Sequence, residues 1–457
     1  MRVRVLKFGG TSVDTPERRQ AAVRRVVQAR ADGCDPVVVV SAIGRAGAPY
    51  ATDTLLAELE GVDPAATPAP RERDLIMACG EIISTVIMAH TLAAAGYPAT
   101  ALTGGQAGIV TDEVFGDARI RSINPHYVIS TLAEGRIPVV AGFQGVTDPG
   151  TGRHGAITTL GRGGSDTTAS ALGAALRAEA VEIYTDVPGV MTADPRLCPG
   201  TVTLPRVSYE EIAEMAHQGA KVLHPRAAEI AMEYGIPLWV KGTTATEAGT
   251  QIAGTAAELP HRVTGITHTP RVAYLTLHLP YREDRRRLEL ELFRILARVR
   301  VGFHLLGGSP DAIGLAVPRE SLATVAGLLD GLVVPAGGGS PHRLYLLRVD
   351  RGGTTFGVQE DLLARAEGLA EVVAVPVQVV DTCAVVSVIA TRMWETPGMG
   401  VAVLETLQDA GIAVLQTADS ALSLSCLVHE KDTGHAVQAL HRRFIRQEDD
   451  GPPAPGE

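Results

Sequence analysis

Over the first 250 positions the apolar residues fall into two alternating patterns. Short runs such as Val3–Lys7 and Pro36–Ser41, the latter with four successive valines, read as strands buried on both faces. Ala99–Leu102, Ile137–Phe143, Val181–Thr185 and Pro237–Val240 repeat that pattern. Between them lie stretches with helical spacing. Thr15-Pro16-Glu17 supplies an N-cap and a proline at the first helical position, and Gly33 closes that helix. A long helix is predicted over Arg71–Ala95, stopped by Gly96, with shorter ones over Ser165–Leu176 and Tyr209–Ala216. The alternation predicts an α/β fold, a mainly parallel sheet sandwiched by helices.

The pattern changes after about residue 255, where a repeat begins. Leu292–Leu306 resembles Val403–Thr417, each reading as a helix that leads into a strand. A polar turn follows (Gly307–Asp311; Ala418–Ser420), then an alternating strand (Ala312–Val317; Leu422–Val428) and a second helix (Glu320–Leu329; Thr433–Phe444). The expected division is a domain over 1–250, a first repeat over 260–335, a second over 370–447 and a disordered tail over 448–457. The intervening 333–370, with Pro335–Pro341 reading as a loop, is an insertion of unassigned role.

Composition narrows the function. A net charge of −10, with no basic stripe interleaved with aromatics, argues against nucleic acid. No uninterrupted apolar stretch approaches the ~20 residues of a membrane span. The N-terminal apolar run breaks at Gly9, too early for a secretory leader, so a cytoplasmic location is expected. The five cysteines are scattered without CxxC spacing, and no metal site is expected. Of 41 basic residues only four are lysines: Lys7, Lys221, Lys241 and Lys431. In an arginine-rich chain a retained lysine marks a place that needs a compact ammonium, unless it survives by chance, and Lys7 and Lys221 are the candidates.

Four segments carry candidate chemistry. Lys7-Phe-Gly-Gly-Thr-Ser12 ends a strand, with glycines that let backbone approach a phosphate, although its spacing is not that of a P-loop. Thr158-Thr-Leu-Gly-Arg-Gly-Gly-Ser-Asp-Thr-Thr168 places glycines before a helix with Ser165 as the expected N-cap. Its Arg162 can grip a carboxylate bidentately, or is an ordinary loop arginine. Tyr184–Arg196 begins at a strand end, where ligands sit in open α/β sheets. Gln218–Pro225 holds Lys221, and His224 there reads as structural.

Together these segments resemble the aspartate kinase branch of the amino-acid kinase family. The resemblance rests on Lys7-Phe-Gly-Gly-Thr-Ser, Leu160-Gly-Arg-Gly-Gly-Ser-Asp166, Thr185-Asp-Val-Pro-Gly189, Thr192-Ala-Asp-Pro-Arg196 and Gly219-Ala-Lys-Val-Leu-His-Pro225, in that order. Val40–Leu56 looks most like the monofunctional enzymes of Gram-positive bacteria, and the length implies no homoserine dehydrogenase fusion. The resemblance implies transfer of the γ-phosphate of ATP to the β-carboxylate of L-aspartate, the first step toward the aspartate-family amino acids and diaminopimelate. It makes Lys7, Arg162, Asp166 and Lys221 catalytic. Ser41, Thr52, Glu81, Arg162 and Ser165 border the aspartate, Glu81 meeting its α-amino group and Arg162 its α-carboxylate. Lys7, Phe8, Gly9, Gly10, Thr185, Asp186, Met191, Arg196, Lys221 and Val222 line the ATP site. Met191 stands where many relatives have a tyrosine near the adenine. Mg²⁺ is carried by the nucleotide phosphates.

The repeat resembles paired ACT domains, ferredoxin-like amino-acid sensors. The second copy, with Glu395-Thr-Pro-Gly398 and Gln416-Thr-Ala-Asp-Ser420, fits well, and the first, around Leu279–Arg287, lacks the Pro-Gly. Gln416, Asp419 and Ser420 are the candidate effector residues, for lysine, threonine or diaminopimelate. The alternative is that these modules only join copies of the chain into a homodimer or higher homo-oligomer. Two rival functions stand beside the leading one: a kinase of another amino acid, and a non-catalytic amino-acid sensor. The intact charged set argues against the sensor.

Overall fold

The computed structural model describes residues 1–148, 155–220, 222–255, 263–299, 301–335, 343–350, 371–391, 393 and 396–445. The chain forms two compact units, residues 1–192 with 201–261, and residues 193–200 with 262–457. Lys221, the Pro-Gly-rich stretch 336–341 and the expected tail fall outside the described residues.

In the first unit the strands are β1 (Val3–Phe8), β2 (Asp35–Val40), β3 (Ala99–Leu102), β4 (Ile109–Thr111), β5 (Ile120–Ile123), β6 (Ile137–Ala141), β7 (Gln144–Thr147), β8 (Ile157–Thr159), β9 (Ala180–Thr185), β10 (Arg206–Val207), β11 (Leu238–Gly242) and β12 (Thr250–Ile252). The helices are α1 (Pro16–Ala31), α2 (Thr52–Glu60), α3 (Pro70–Ala94), α4 (His126–Ala133), α5 (Gly164–Leu176), α6 (Tyr209–His217) and α7 (Pro225–Tyr234). The main sheet runs β10-β12-β11-β9-β1-β2-β6-β3. It is parallel except where β11 meets β12. Strand alternation sends Leu6 and Phe8 toward α1 and α3, where they pack with Val23, Val26, Met88 and Leu92. Lys7 points the other way, to α5. Helices therefore cover both faces. Chain order reverses around β1, with β2 on one side and β9 on the other, so the strand ends at Phe8, Val40 and Thr185 open a crevice suited to a ligand.

The sequence pattern missed a second sheet, β5-β4-β7-β8. Its strands span three or four residues and bury threonines, as in the Thr111–Thr158 hydroxyl pair at 2.6 Å, so they show no apolar run. Helix α3 is long and apolar enough to cross a bilayer by composition alone. Here Met88 and Leu92 enter the core, and Asp74 and Glu81 are buried as well.

The second unit holds β13 (Val263–His278), α8 (Arg285–Arg298), β14 (Leu305–Gly307), β15 (Ala312–Pro318), α9 (Leu322–Leu329), β16 (Val333–Pro335), β17 (Arg343–Asp350), β18 (Glu371–Ala390), α10 (Met399–Asp409), β19 (Gln416–Asp419), β20 (Ser423–His429) and α11 (Thr433–Phe444). One sheet runs β14-β15-β13-β18-β17-β16, with β20 added to β18 and β19 to β20. Strands β13 and β18 are long enough to serve both repeats. Their pairing shifts register between Thr269 and Val272, next to Arg271 at φ +57°. Beyond the shift β13 packs α8 and α9 through Leu275, Leu288, Leu292 and Val325. Before it, Ile266 and Val388 pack α10 and α11 through Val403, Leu407 and Leu440. The repeat is thus two helix pairs on one shared sheet. Two strands, β16 and β17, occupy part of the stretch expected to be an insertion, and β17 runs parallel to β18.

Candidate active site

Lys7 lies at the end of β1, and its ammonium meets Asp166 Oδ1 on α5 at 2.7 Å, both side chains nearly buried. The backbone N–H of His224 donates to Asp166 Oδ2 at 3.3 Å, so this carboxylate is held from two sides. Helix α5 does not start at Ser165. Its N-cap is Gly163, left-handed at φ 73°, and a Cβ there would come within 2.5 Å of the His224 ring. The serine expected to cap the helix is instead its second residue, and is buried, because this close packing requires glycine at the cap. His224 itself caps α7, its Nδ1 accepting from Arg226 N–H.

The glycines after Lys7 differ from the expected phosphate cradle. Gly9 N–H donates to Tyr184 O at 3.1 Å and is not free for a ligand. A Cβ on Gly10 would lie 2.4 Å from Ala42 O, so this glycine lets the β2–α2 loop pack against the strand end. That loop carries Arg45, which pairs with Asp186 at the end of β9 at 2.6 Å. Both ends of the pair are exposed, and they border a cavity of about 430 Å³ with Thr11, Arg18 and Gly44. Phe8 stacks on Tyr184 in the core, so its side chain serves packing.

Glu81 sits on α3 with 3% of its surface exposed. Ala42 N–H donates to Oε1 at 3.0 Å, while Oε2 has no hydrogen-bond partner among the described residues. Burial pushes this carboxyl up to about 8, against the opposing pull of the Ala42 N–H and the nearby Lys7 charge. An unpartnered buried carboxylate oxygen beside a lysine suits a ligand ammonium. Arg162 is exposed and makes no hydrogen bond or ion pair among the described residues. Its loop is firmly held nonetheless. Asp74 Oδ2 accepts Thr159 N–H at 2.7 Å, and Arg226 reaches Leu160 O at 3.2 Å.

The remaining candidates divide. Ser41 follows β2, its N–H donating to Phe8 O, and Thr52 opens α2. Thr185 bonds Asp186 Oδ1 at 3.2 Å, and Val222 is half-buried. Met191 bridges to Thr203. Arg196 belongs to the second unit and is gripped bidentately by Asp194, at 3.0 and 2.7 Å. In the second unit Gln416 accepts from the Tyr274 hydroxyl at 2.7 Å, Asp419 is exposed, and Ser420 contacts Ser423. Asp74 and Arg226 escaped the sequence reading. Asp74 was detectable: it lies seven residues before Glu81, two turns along the same face of the helix.

Comparison with known proteins places these observations. Residues 2–242 match the Amino acid kinase family, and residues 386–444 match the ACT domain. The chain is 37% identical to Aspartokinase 1 of Bacillus subtilis over 450 residues, 97% of this chain and 99% of that one. Its structure is similar to E. coli aspartokinase III in complex with aspartate and ADP (R-state), with a TM-score of 0.72, 26% identity, and coverage of 96% of this chain and 99% of that one. The same enzyme in complex with lysine and aspartate (T-state) gives a TM-score of 0.67 at 25% identity, covering 97% of this chain and 99% of that one.

Proposed function

The chain belongs to the aspartokinase branch of the amino acid kinase family, and we propose that Lys7, Glu81, Arg162 and Asp166 carry its reaction at the C-terminal ends of β1, β2 and β9. The observation that carries this assignment is the buried Glu81 oxygen with no hydrogen-bond partner among the described residues, close enough to the Lys7 of the Lys7–Asp166 pair to feel its charge.

An aspartokinase phosphorylates the β-carboxylate of aspartate with ATP. In our reading Glu81 takes the α-ammonium and Arg162 the α-carboxylate, with Ser41, Thr52 and Ser165 at the pocket border. This orientation leaves the β-carboxylate free to attack. It needs no general base, because it is ionised at neutral pH. Lys7, with Lys221, offsets charge on the transferring phosphoryl group, while Asp166 fixes the Lys7 ammonium in place. Catalysis is then positioning and charge neutralisation in an in-line transfer. The nucleotide arrives as its Mg²⁺ complex, lined by Thr185, Asp186, Met191 and Val222.

We place the enzyme in the cytoplasm and give the second unit an amino-acid effector at Gln416, Asp419 and Ser420. The lysine complex of the E. coli enzyme supports lysine as the first effector to try. We also infer that copies of the chain associate through this unit. The test is aspartate-dependent ADP release with Mg²⁺, trapping the acyl phosphate with hydroxylamine, with and without lysine, threonine or diaminopimelate. A hydroxamate formed only with aspartate supports the site. Equal signal with glutamate overturns the roles of Glu81 and Arg162 in selecting aspartate.

A further inference from the structure

Arg162 has no side-chain partner among the described residues, so its place is set by the backbone on which it stands. That backbone hangs from helix α3. Asp74, 1% exposed, accepts Thr159 N–H at 2.7 Å and Gly116 N–H at 3.0 Å on Oδ2, and the Thr159 hydroxyl at 2.9 Å on Oδ1. Three donors converge on one buried carboxylate, an arrangement that fixes geometry strongly. Three residues past Thr159 comes Arg162. Arg226 adds a clamp from the other side, bonding Leu160 O and Asp117 Oδ1 at 3.2 and 2.8 Å. Gly161 between them is left-handed at φ 76°, and a Cβ there would meet Asp117 Oδ1 at 2.9 Å.

Helix α3 also carries Glu81. Seven residues separate Asp74 from Glu81, a rise of about 10 Å along one face of a continuous helix. We propose that Asp74 is a positioning residue for aspartate: it ties the Arg162 loop to the helix that presents Glu81, and so sets the spacing between the groups that read the α-carboxylate and the α-ammonium. This rests on the roles given to Glu81 and Arg162 above. The Lys7–Asp166 pair does not pass through this tie, because Asp166 is held by Lys7 and by His224 N–H. Loss of the tie therefore falls on the amino acid and spares the nucleotide. A loop misplaced by ~1 Å costs up to about 100-fold where geometry carries the reaction.

The test uses the full-length enzyme and steady-state kinetics in both substrates. Asp74→Asn removes the charge and turns one of the two acceptor oxygens into a donor, so at least one of the three bonds is lost or reversed and the rest lose their charge assistance. Thr159→Val removes only the hydroxyl contact and carries the test if the first variant does not fold. We expect the KM for aspartate to rise about tenfold in Asp74→Asn and less in Thr159→Val, with the KM for ATP within about twofold of the parent. In an Arg162→Ala background, Asp74→Asn should add nothing further to the aspartate KM, because the group it positions is gone. A parallel rise in the KM for ATP, or effects that multiply in the double variant, would show a merely structural carboxylate and overturn the proposal. An Arg162→Ala enzyme with an unchanged aspartate KM would instead overturn the role of Arg162 on which the proposal stands.

Discussion

The position of Glu81 predicts that aspartate binding is coupled to a proton. With its carboxyl raised to about 8, the empty enzyme holds Glu81 protonated at neutral pH. An ammonium ligand pairs with the ionised form, so binding must expel that proton. Free energy of binding is then lost at about 1.4 kcal/mol for each pH unit below 8. Aspartate affinity should fall about tenfold from the alkaline limit to pH 7 and about 100-fold to pH 6, while the aspartate side chain stays ionised throughout. The assay is kcat/KM for aspartate from pH 6 to 9, with ATP saturating, together with calorimetry in two buffers of different ionisation enthalpy to count protons released. Glu81→Gln should bind aspartate more weakly and lose the slope. The same shift acts on stability. A carboxyl whose folded value lies above its ordinary 4.5 stabilises the native state fully below that value, and the contribution fades as pH rises through about 8. Glu81→Gln should therefore gain stability relative to the parent across that window. A flat aspartate profile between pH 6 and 8, or a slope that survives in Glu81→Gln, would refute the assignment of Glu81 as the ammonium partner.

Three further outcomes follow from the same geometry. Lys7→Met should lower phosphoryl transfer by about 10³-fold, measured as hydroxamate formed, and should cost about 3 kcal/mol in urea unfolding by leaving Asp166 without its cation; unchanged turnover would remove Lys7 from the phosphate role. Gly163→Ala should destabilise the first unit by about 2 kcal/mol, since a Cβ is strained at positive φ and meets His224, and an unaltered denaturation midpoint would contradict the tight cap. Burial pushes the Cys426 thiol up to about 12 and Cys383 to about 11, so both should resist a thiol reagent in the native enzyme while the partly exposed Cys79 reacts; rapid labelling of all five would argue against these cores.

The main sheet was legible because parallel strands buried on both faces leave unbroken apolar runs, and β3, for example, begins at Ala99 and ends at Leu102 as the pattern implies. The small sheet β5-β4-β7-β8 was not, because its buried threonines satisfy one another by hydrogen bonds and mimic a polar loop. The repeat in the second unit showed in sequence, but the sharing of β13 and β18 did not, since one strand passing through two modules leaves no boundary to read. Among site residues, Lys7 stood out by lysine scarcity. Scarcity also marked Lys241, which was passed over; it pairs with buried Glu182 at 2.8 Å beneath the Trp239 ring. The misplaced cap at Ser165 has a similar origin. Local capping rules favour serine, and only the approach of His224, 61 residues after Gly163, explains why glycine takes the position.

The two ion pairs at the strand ends differ in what they ask of a nucleotide. Arg45–Asp186 is exposed at both ends, and such pairs contribute less than about 1 kcal/mol, so phosphate can exchange with it at little cost. Lys7–Asp166 is nearly buried, and removing the charge of one partner leaves the other uncompensated at about 3 kcal/mol. Asp166→Asn keeps an acceptor oxygen for His224 N–H and isolates the Lys7 charge. If Lys7 receives the transferring phosphate, the triphosphate then supplies the missing negative charge. MgATP should raise the melting temperature of Asp166→Asn by more than it raises that of the parent, because ligand that binds only the native state adds stability in proportion to its affinity. Thermal unfolding at matched saturating MgATP reads the difference. An equal or smaller shift in the variant would mean that the nucleotide does not reach the Lys7 ammonium, and that Asp166 serves the fold at this point and not the charge balance of the site.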